Sequence, residues 1–408
     1  MRKGLAEFIA IVLLSGCGTA EEPGTSEISE RAEFGETDYE LIAEANNVLG
    51  MKVMGDLTER EEGNIFISPV SLYMALAMVY NGADGVTKTE IGNVLEAEGV
   101  SAEDMNRANA SLMAALQSDS EDIRLEFANS IWVKDSYSFL DSFTESSRDY
   151  YRAEIESIDV TDPESAERIN SWVAEATNGK IEDMVSKPLP GNLVALLLNA
   201  VYFKGDWQYP FIRELTEEKP FSTAGGTVQV PLMERQAEFP YFETEAFQAV
   251  SLPYGKGEMS MEVFLPSENS SLEKFQASLT EEKWDEWMSA FQKKQGTVLL
   301  PKFQLEYEKV LNETLQRLGM ATAFSSVDLS NMFEDSEGLF ISEVKQKTFI
   351  DVNETGTEAA AATSVAVAES APAEPPFILE ADRPFFLAIT DKETGVILFM
   401  GAIENPVN

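Results

Sequence analysis

The chain has 408 residues, 44% hydrophobic and 25% charged, an ordinary composition for a folded soluble protein that excludes disorder over most of its length. Its 71 acidic and 30 basic residues give a formal charge of −41 spread along the whole chain, a surface that nucleic-acid phosphates and anionic lipid headgroups would repel. With no histidine and one cysteine, the chain excludes Ser-His-Asp and Cys-His catalysis, histidine-ligated or cysteine-built metal sites, an internal disulfide and an imidazole pH switch.

Met1-Arg2-Lys3 is basic, Phe8 to Leu14 is an apolar run too short to cross a bilayer, and Leu14-Ser15-Gly16-Cys17 follows at once. This is the pattern of an export signal, and the tetrapeptide resembles a bacterial lipobox, which makes Cys17 the expected lipidation site. An ordinary signal peptide with an incidental cysteine is the other reading. Gly18 to about Asp38 is acidic and poor in apolar residues, the composition of a disordered tether. From Tyr39 to Glu354 there is no Pro/Ser/Gly-rich linker and no repeat of fixed period, so residues 39–408 are expected to form one domain behind a signal at 1–16 and a tether at 17–38.

Asn64-Ile-Phe-Ile-Ser-Pro-Val-Ser71 predicts a short strand running into a helix, with Ser68 as N-cap and Pro69 at the first helical position. The helix is apolar on nearly every face to about Tyr80, as befits one inside a large protein, and Asn81-Gly82 is its expected stop. A second helix begins at Asp162-Pro163, puts Ile169, Trp172, Val173 and Ala176 on one stripe, and ends at Asn178-Gly179.

Leu193 to Phe203 is a continuous apolar run, the signature of a central strand covered on both faces, and Asn199 interrupts it. A buried amide without partners costs about 1–3 kcal/mol, so Asn199 is expected in a side-chain network. Phe303, Leu305 and Tyr307 alternate with polar residues in a strand with one wet face. Leu387 to Ile403 reads as a hairpin turning at Asp391 to Gly395. Long strands with helices interspersed but not alternating give an α+β, mixed architecture.

Between two of these strands lies Glu354 to Ser370, small-residue and free of proline. Laid down as a strand, it puts Thr357, Ala359, Ala361, Thr363, Val365 and Val367 on one face and Glu358, Ala360, Ala362, Ser364, Ala366 and Ala368 on the other. All the β-branched residues fall on one side. The segment is prepared to be half of a sheet, yet it carries no large anchor to hold it there from the start. Pro372, Pro375 and Pro376 end any pairing near Ser370 or Ala371. Thr357 to Ser370, at roughly 3.3 Å per residue, reaches about 46 Å, against a domain on the order of 55 Å across.

The chain from about Tyr39 to Asn405 resembles a serpin. The motifs that carry the likeness are Asn64-Ile-Phe-Ile-Ser-Pro-Val-Ser-Leu72, Asn199-Ala-Val-Tyr-Phe-Lys-Gly-Asp-Trp207, Leu252-Pro-Tyr254, Leu300-Pro-Lys-Phe303, Val352-Asn-Glu-Thr-Gly-Thr-Glu-Ala-Ala-Ala-Ala-Thr363 and Arg383-Pro-Phe-Phe386, in family order and spacing. The resemblance implies three β-sheets, about nine helices and an exposed reactive-centre loop. It implies a monomeric suicide inhibitor of serine proteases, without cofactor or metal, and not an enzyme. A protease cleaves the loop as an acyl-enzyme, and the loop then enters the main sheet as a new strand before deacylation.

Glu354, Gly356, Thr357, Glu358, Ala359, Ala360, Ala361, Ala362 and Thr363 match the family's hinge. Thr355 stands where many members have glutamate, outside the deeply inserted portion. Counting from Glu354 places the reactive bond at Ser370-Ala371, with Glu369-Ser370 or a bond one residue later as alternatives. Ser370, with Ala368 and Val367 before it, suits elastase-like or subtilisin-like proteases with small primary pockets, and the net charge favours basic ones. Ser68, Ser71, Asn199, Trp207 and Gln346 match the region that opens for insertion; Gln346 stands where many relatives carry a histidine, and an amide can both donate and accept there. The second reading is a serpin that binds without inhibiting. The N-terminus adds a membrane partner through Cys17, facing the periplasm or the cell exterior, or else a secreted protein.

Overall fold

The computed structural model describes residues 28–117, 121–335, 338–357 and 375–407. Cys17 and the signal and tether up to residue 27 lie outside them, as do hinge residues Glu358 to Thr363 and the reactive pair Ser370 and Ala371.

The described helices are α1 (Ala43–Thr58), α2 (Pro69–Gly82), α3 (Gly85–Val94), α4 (Ala102–Leu116), α5 (Asp141–Tyr151), α6 (Pro163–Ala176), α7 (Leu272–Ala277), α8 (Glu281–Ala290) and α9 (Asn312–Leu318). The strands of the first half are β1 (Ile65–Ile67), β2 (Ile123–Lys134), β3 (Glu154–Ile158), β4 (Ala195–Asp206), β5 (Glu217–Thr223), β6 (Gly226–Glu243), β7 (Phe247–Pro253) and β8 (Met259–Pro266). Those of the second half are β9 (Gln292–Pro301), β10 (Phe303–Val310), β11 (Ile341–Val352), β12 (Gly356–Thr357), β13 (Phe377–Glu380), β14 (Phe385–Asp391) and β15 (Ile397–Ile403).

Hydrogen bonding gathers these strands into two sheets. One has six strands in the order β10-β11-β12-β4-β2-β3; the other has nine, β1-β15-β14-β8-β7-β6-β9-β13 with β5 on β6. Two of the three sheets implied by the resemblance are therefore joined, because the 18-residue β6 pairs with β5 near its start and with β7 at its end. The architecture is mixed, with long strands and helices interspersed but not alternating.

The six-stranded sheet is covered on both faces at β4, as the apolar run at 193–203 predicts. Along β4, Leu197, Val201 and Phe203 join the main core with α2 and β15, while Leu196, Leu198 and Ala200 join a second cluster with Ile169, Val173 and Ala176 of α6. The α6 start matches its sequence signal: Glu164 N–H donates to the Asp162 carboxylate at 2.9 Å.

The start of α2 departs from expectation. Ser68 holds the N-cap position with an extended backbone, but its side chain makes no cap bond. Its hydroxyl donates instead to the carbonyl of Leu398 in β15, at 2.7 Å, because Ser68 is wholly buried against that strand. The helix ends at Gly82, within the expected Asn81-Gly82 stop. Gly82 serves close packing: a Cβ there would lie 2.5 Å from Met332 Cε.

Candidate functional site

Two neighbouring strands of the six-stranded sheet run parallel. β11 and β4 pair from Ile341 and Ala195 up to Thr348 and Val201. Above that point they part, and β12 stands between them. Thr357 pairs antiparallel with Val352 on one side and Gly205 on the other, and Gly356 with Asp206. A strand of two residues has thus begun to enter the seam, which corrects the expectation that nothing holds this segment.

Glycine is required at that entry. A Cβ on Gly356 would lie 2.1 Å from the Gly205 carbonyl oxygen, and one on Gly205 2.7 Å from Tyr254 Cδ1. Thr357 is 1% exposed, and its hydroxyl sits 2.6 Å from that of Tyr254. Burial drives the Tyr254 pKa well above the ordinary phenol value, so the ring stays protonated and hydrogen-bonds as a neutral group.

Trp207 stacks on Tyr254 with ring centroids 4.4 Å apart, a contact worth about 0.5–1.5 kcal/mol beyond burial. Its indole N–H donates to Asn353 O at 2.9 Å and its backbone N–H to Thr355 O at 2.8 Å. Thr355 is itself buried, with hydroxyl and backbone N–H both donating to Asn353 Oδ1, so it belongs to the anchored turn.

Glu354 is clamped beside it. Lys302 Nζ lies 3.0 Å from one carboxylate oxygen, Thr216 Oγ1 donates to the other at 3.0 Å, and Phe211 N–H takes the backbone carbonyl at 2.8 Å. Burial pushes this carboxyl up, but the Lys302 and Thr216 hydrogen bonds outweigh it and hold its pKa below the usual value.

Lower in the sheet lies a second group. Gln346 and Asn199 are direct partners across the parallel seam, and Gln346 Nε2 donates to Asn199 Oδ1 at 2.8 Å. Gln346 also closes a ring with Ser68, accepting its N–H at 3.0 Å and donating to its carbonyl at 2.9 Å. Asn199 Nδ2 donates to Ser71 O at 2.9 Å and to Asn129 Oδ1 at 2.6 Å. Both buried amides are satisfied with no titratable group in the network. The Ser71 hydroxyl finds no partner among the described residues.

The candidate residues therefore form two sites on one seam. Glu354, Gly356, Thr357 and Trp207 meet at its open end, while Ser68, Ser71, Asn199 and Gln346 meet at its closed middle. Tyr254, Lys302, Thr216 and Asn353 were not singled out by sequence, although three of them sit in the quoted motifs Leu252-Pro-Tyr254, Leu300-Pro-Lys-Phe303 and Val352 to Thr363. Asn129 was findable: it lies inside a strand, as Asn199 does, and a buried amide there raises the same demand for partners.

The sheet thus has one strand begun between β11 and β4, with the seam still bonded below it. The family model for serpin (serine protease inhibitor) matches residues 44–406, and the chain belongs to that family of protease inhibitors, which are not enzymes. It is similar to the leukocyte elastase inhibitor of Bos taurus, 39% identical over 381 residues, covering 90% of this chain and 100% of that one. An uncharacterized serpin-like protein of Thermococcus kodakarensis is 34% identical over 99% of both chains. The crystal structure of the thermophilic serpin tengpin in its native state superimposes with a TM-score of 0.82 at 31% identity, covering 94% of this chain and 97% of that one.

Proposed function

We propose that this chain inhibits serine endopeptidases as a consumed bait. The observation that carries this reading is the two-residue β12, already wedged between β11 and β4. Each further residue steps one position down both flanking strands. Thr363 then arrives opposite Asn199 and Gln346, and Val367 and Ala368 arrive opposite Ser342 and Val194, at the foot of the sheet.

Insertion exchanges one parallel pairing for two antiparallel ones, which bond more favourably per residue. It also buries the β-branched face of the segment. The intact molecule is then kinetically trapped above a more stable cleaved form. A protease held as an acyl-enzyme at Ser370 is carried the length of the sheet before water can release it.

Small residues on both sides of the bond, Ala368, Ser370 and Ala371, favour proteases with small primary pockets, elastase-like or subtilisin-like. The similarity to a leukocyte elastase inhibitor supports the same class. The charge of −41 favours basic proteases through long-range steering, which salt would weaken. We further propose that the protein acts as an exported monomer held at a membrane by lipid on Cys17, a reading that Cys17→Ser and fractionation test.

The functional test is incubation with pancreatic elastase and with subtilisin, followed by a denaturing gel. A protease-sized adduct with release of a small C-terminal peptide is expected. Cleavage without adduct, or no cleavage, would instead favour the non-inhibitory binding protein.

A further inference from the structure

At its foot the seam closes on an irregularity. Ile341 pairs with Ala195 but Glu343 pairs with Leu196, so Ser342 is one residue in excess on β11. This bulge is held from two sides. Toward β4, Val194 N–H donates to Ser342 Oγ at 2.9 Å. Away from it, Asn312 Nδ2 donates to the Ser342 carbonyl at 2.8 Å, and Asn312 Oδ1 accepts the Val344 N–H at 2.8 Å. On the far side of Val194, its carbonyl accepts from Lys134 N–H of β2 at 2.9 Å.

Ser342 is thereby pinned to β10's end of the sheet through Asn312, and Val194 is pinned to β2. The hydroxyl between them is a side-chain bridge across two strands that must move apart. Adjacent strands lie about 4.8 Å apart, so one strand between them doubles the separation to about 9.6 Å, beyond the reach of any serine hydroxyl.

We propose that Ser342 is a positioning residue for inhibition: its hydroxyl clasps the foot of the seam in the intact molecule and must release Val194 before Val367 and Ala368 can enter. This rests on the inhibitory reading above. The clasp exists only before insertion. It therefore stabilises the trapped form, leaves the cleaved form untouched, and slows unprovoked opening of the seam.

A merely structural serine would support both forms alike, and melting separates the two cases. Wild type and Ser342→Ala are melted intact, and again after cutting within residues 358–374 by thermolysin, a metalloprotease that forms no acyl-enzyme. The expected result is an intact Tm lower by about 1–2 °C in the variant and a cleaved Tm equal to wild type. The half-life of inhibitory activity at a fixed temperature below melting should shorten roughly fivefold.

Should Ser342→Ala fold poorly, the matched pair Ser342→Thr and Ser342→Val serves. The two have nearly equal volume and differ in the hydroxyl, so the threonine form alone should keep the wild-type intact Tm. Equal losses in intact and cleaved forms, or no loss in either, overturn the clasp while leaving the inhibitory reading standing. A wild-type cleaved form that melts no higher than the intact one overturns the inhibitory reading, and the clasp with it.

Discussion

Gln346 Nε2 donates to Asn199 Oδ1 at 2.8 Å, joining β11 to β4 side chain to side chain at the middle of the seam. Both residues are buried, and every partner in the ring they form with Ser68, Ser71 and Asn129 is a neutral amide, hydroxyl or backbone group. Gln346→Ala would leave the Ser68 N–H and the Asn199 carbonyl oxygen without these partners, at a cost of about 1–3 kcal/mol. The intact protein is expected to melt lower in scanning calorimetry. Gln346→His should install a pH dependence that the wild-type network lacks. Burial disfavours the imidazolium, so stability is present above the unfolded pKa of about 6.5 and falls as pH drops below it.

Thr357 is the first inserted side chain, and the pocket that takes it is sealed by Tyr254 under Trp207. Thr357→Arg cannot place a guanidinium there without burying an unpaired charge, so β12 should leave the seam and the following residues should not enter. With elastase or subtilisin the variant is expected to be cut as a substrate, with adduct yield falling severalfold while cleavage continues. Undiminished adduct would mean that insertion does not trap the protease. Thr357→Val keeps the shape but leaves the buried Tyr254 hydroxyl unpaired, and its milder cost is about 1 kcal/mol of intact stability.

Glu262 of β8 is buried in a cage of hydroxyls, accepting from Ser260 at 2.6 Å, Ser251 at 3.1 Å and Thr390 at 3.1 Å. Burial raises its pKa to about 7, against the hydroxyl bonds and the nearby Lys392 charge, which lower it. An acid whose folded pKa lies above its unfolded value is held protonated by the fold. Its contribution is therefore full below about pH 4.5 and is lost as pH rises toward 7. Glu262→Gln removes the ionisation and retains the cage. The wild-type Tm should fall between pH 5 and pH 8 by more than the variant's, leaving the variant the more stable at pH 8 by on the order of 3 kcal/mol. Parallel pH profiles would show that this carboxyl does not titrate in that range.

Local chemistry made much of this legible. Asn199 announced itself because an amide inside an apolar strand must find partners, and the α6 start followed from Asp162-Pro163. What escaped was set by contacts distant in sequence. The entry of β12 depends on Gly356 meeting Gly205, two glycines on separate strands with no local signal to connect them. Tyr254 meets Thr357 across 103 positions, and Lys302 meets Glu354 across 52. Ser68 looked like a helix cap because its neighbours spell one, yet the strand beneath it took the hydroxyl. The joining of two sheets through β6 was hidden by Pro231 and Pro240, which punctuate a sequence but here lie within one long strand.

Extending the strand register from Thr357 relates the proposed reactive bond to the length of the sheet. With Thr357 fixed opposite Val352 and Gly205, the segment reaches Ile341, the first residue of β11, at Ala368. Glu369 and Ser370 then lie one and two residues past the end of the paired strand. A protease joined at Ser370 would be drawn clear to the foot of the sheet, whereas cleavage much earlier would stop it against the sheet's length. Ser370→Arg changes the residue that enters the primary pocket and leaves everything inserted behind it unaltered. Trypsin, for which the region from Lys347 to Arg383 offers no arginine or lysine between those two, should then form an adduct where the wild type forms none. Adducts with elastase should decline by at least tenfold in rate, since an arginine does not fit a small apolar pocket. The peptide released from the trypsin adduct should begin at Ala371, which mass spectrometry reads directly. A peptide beginning elsewhere moves the bond, and an unchanged protease preference removes Ser370 from the contact altogether.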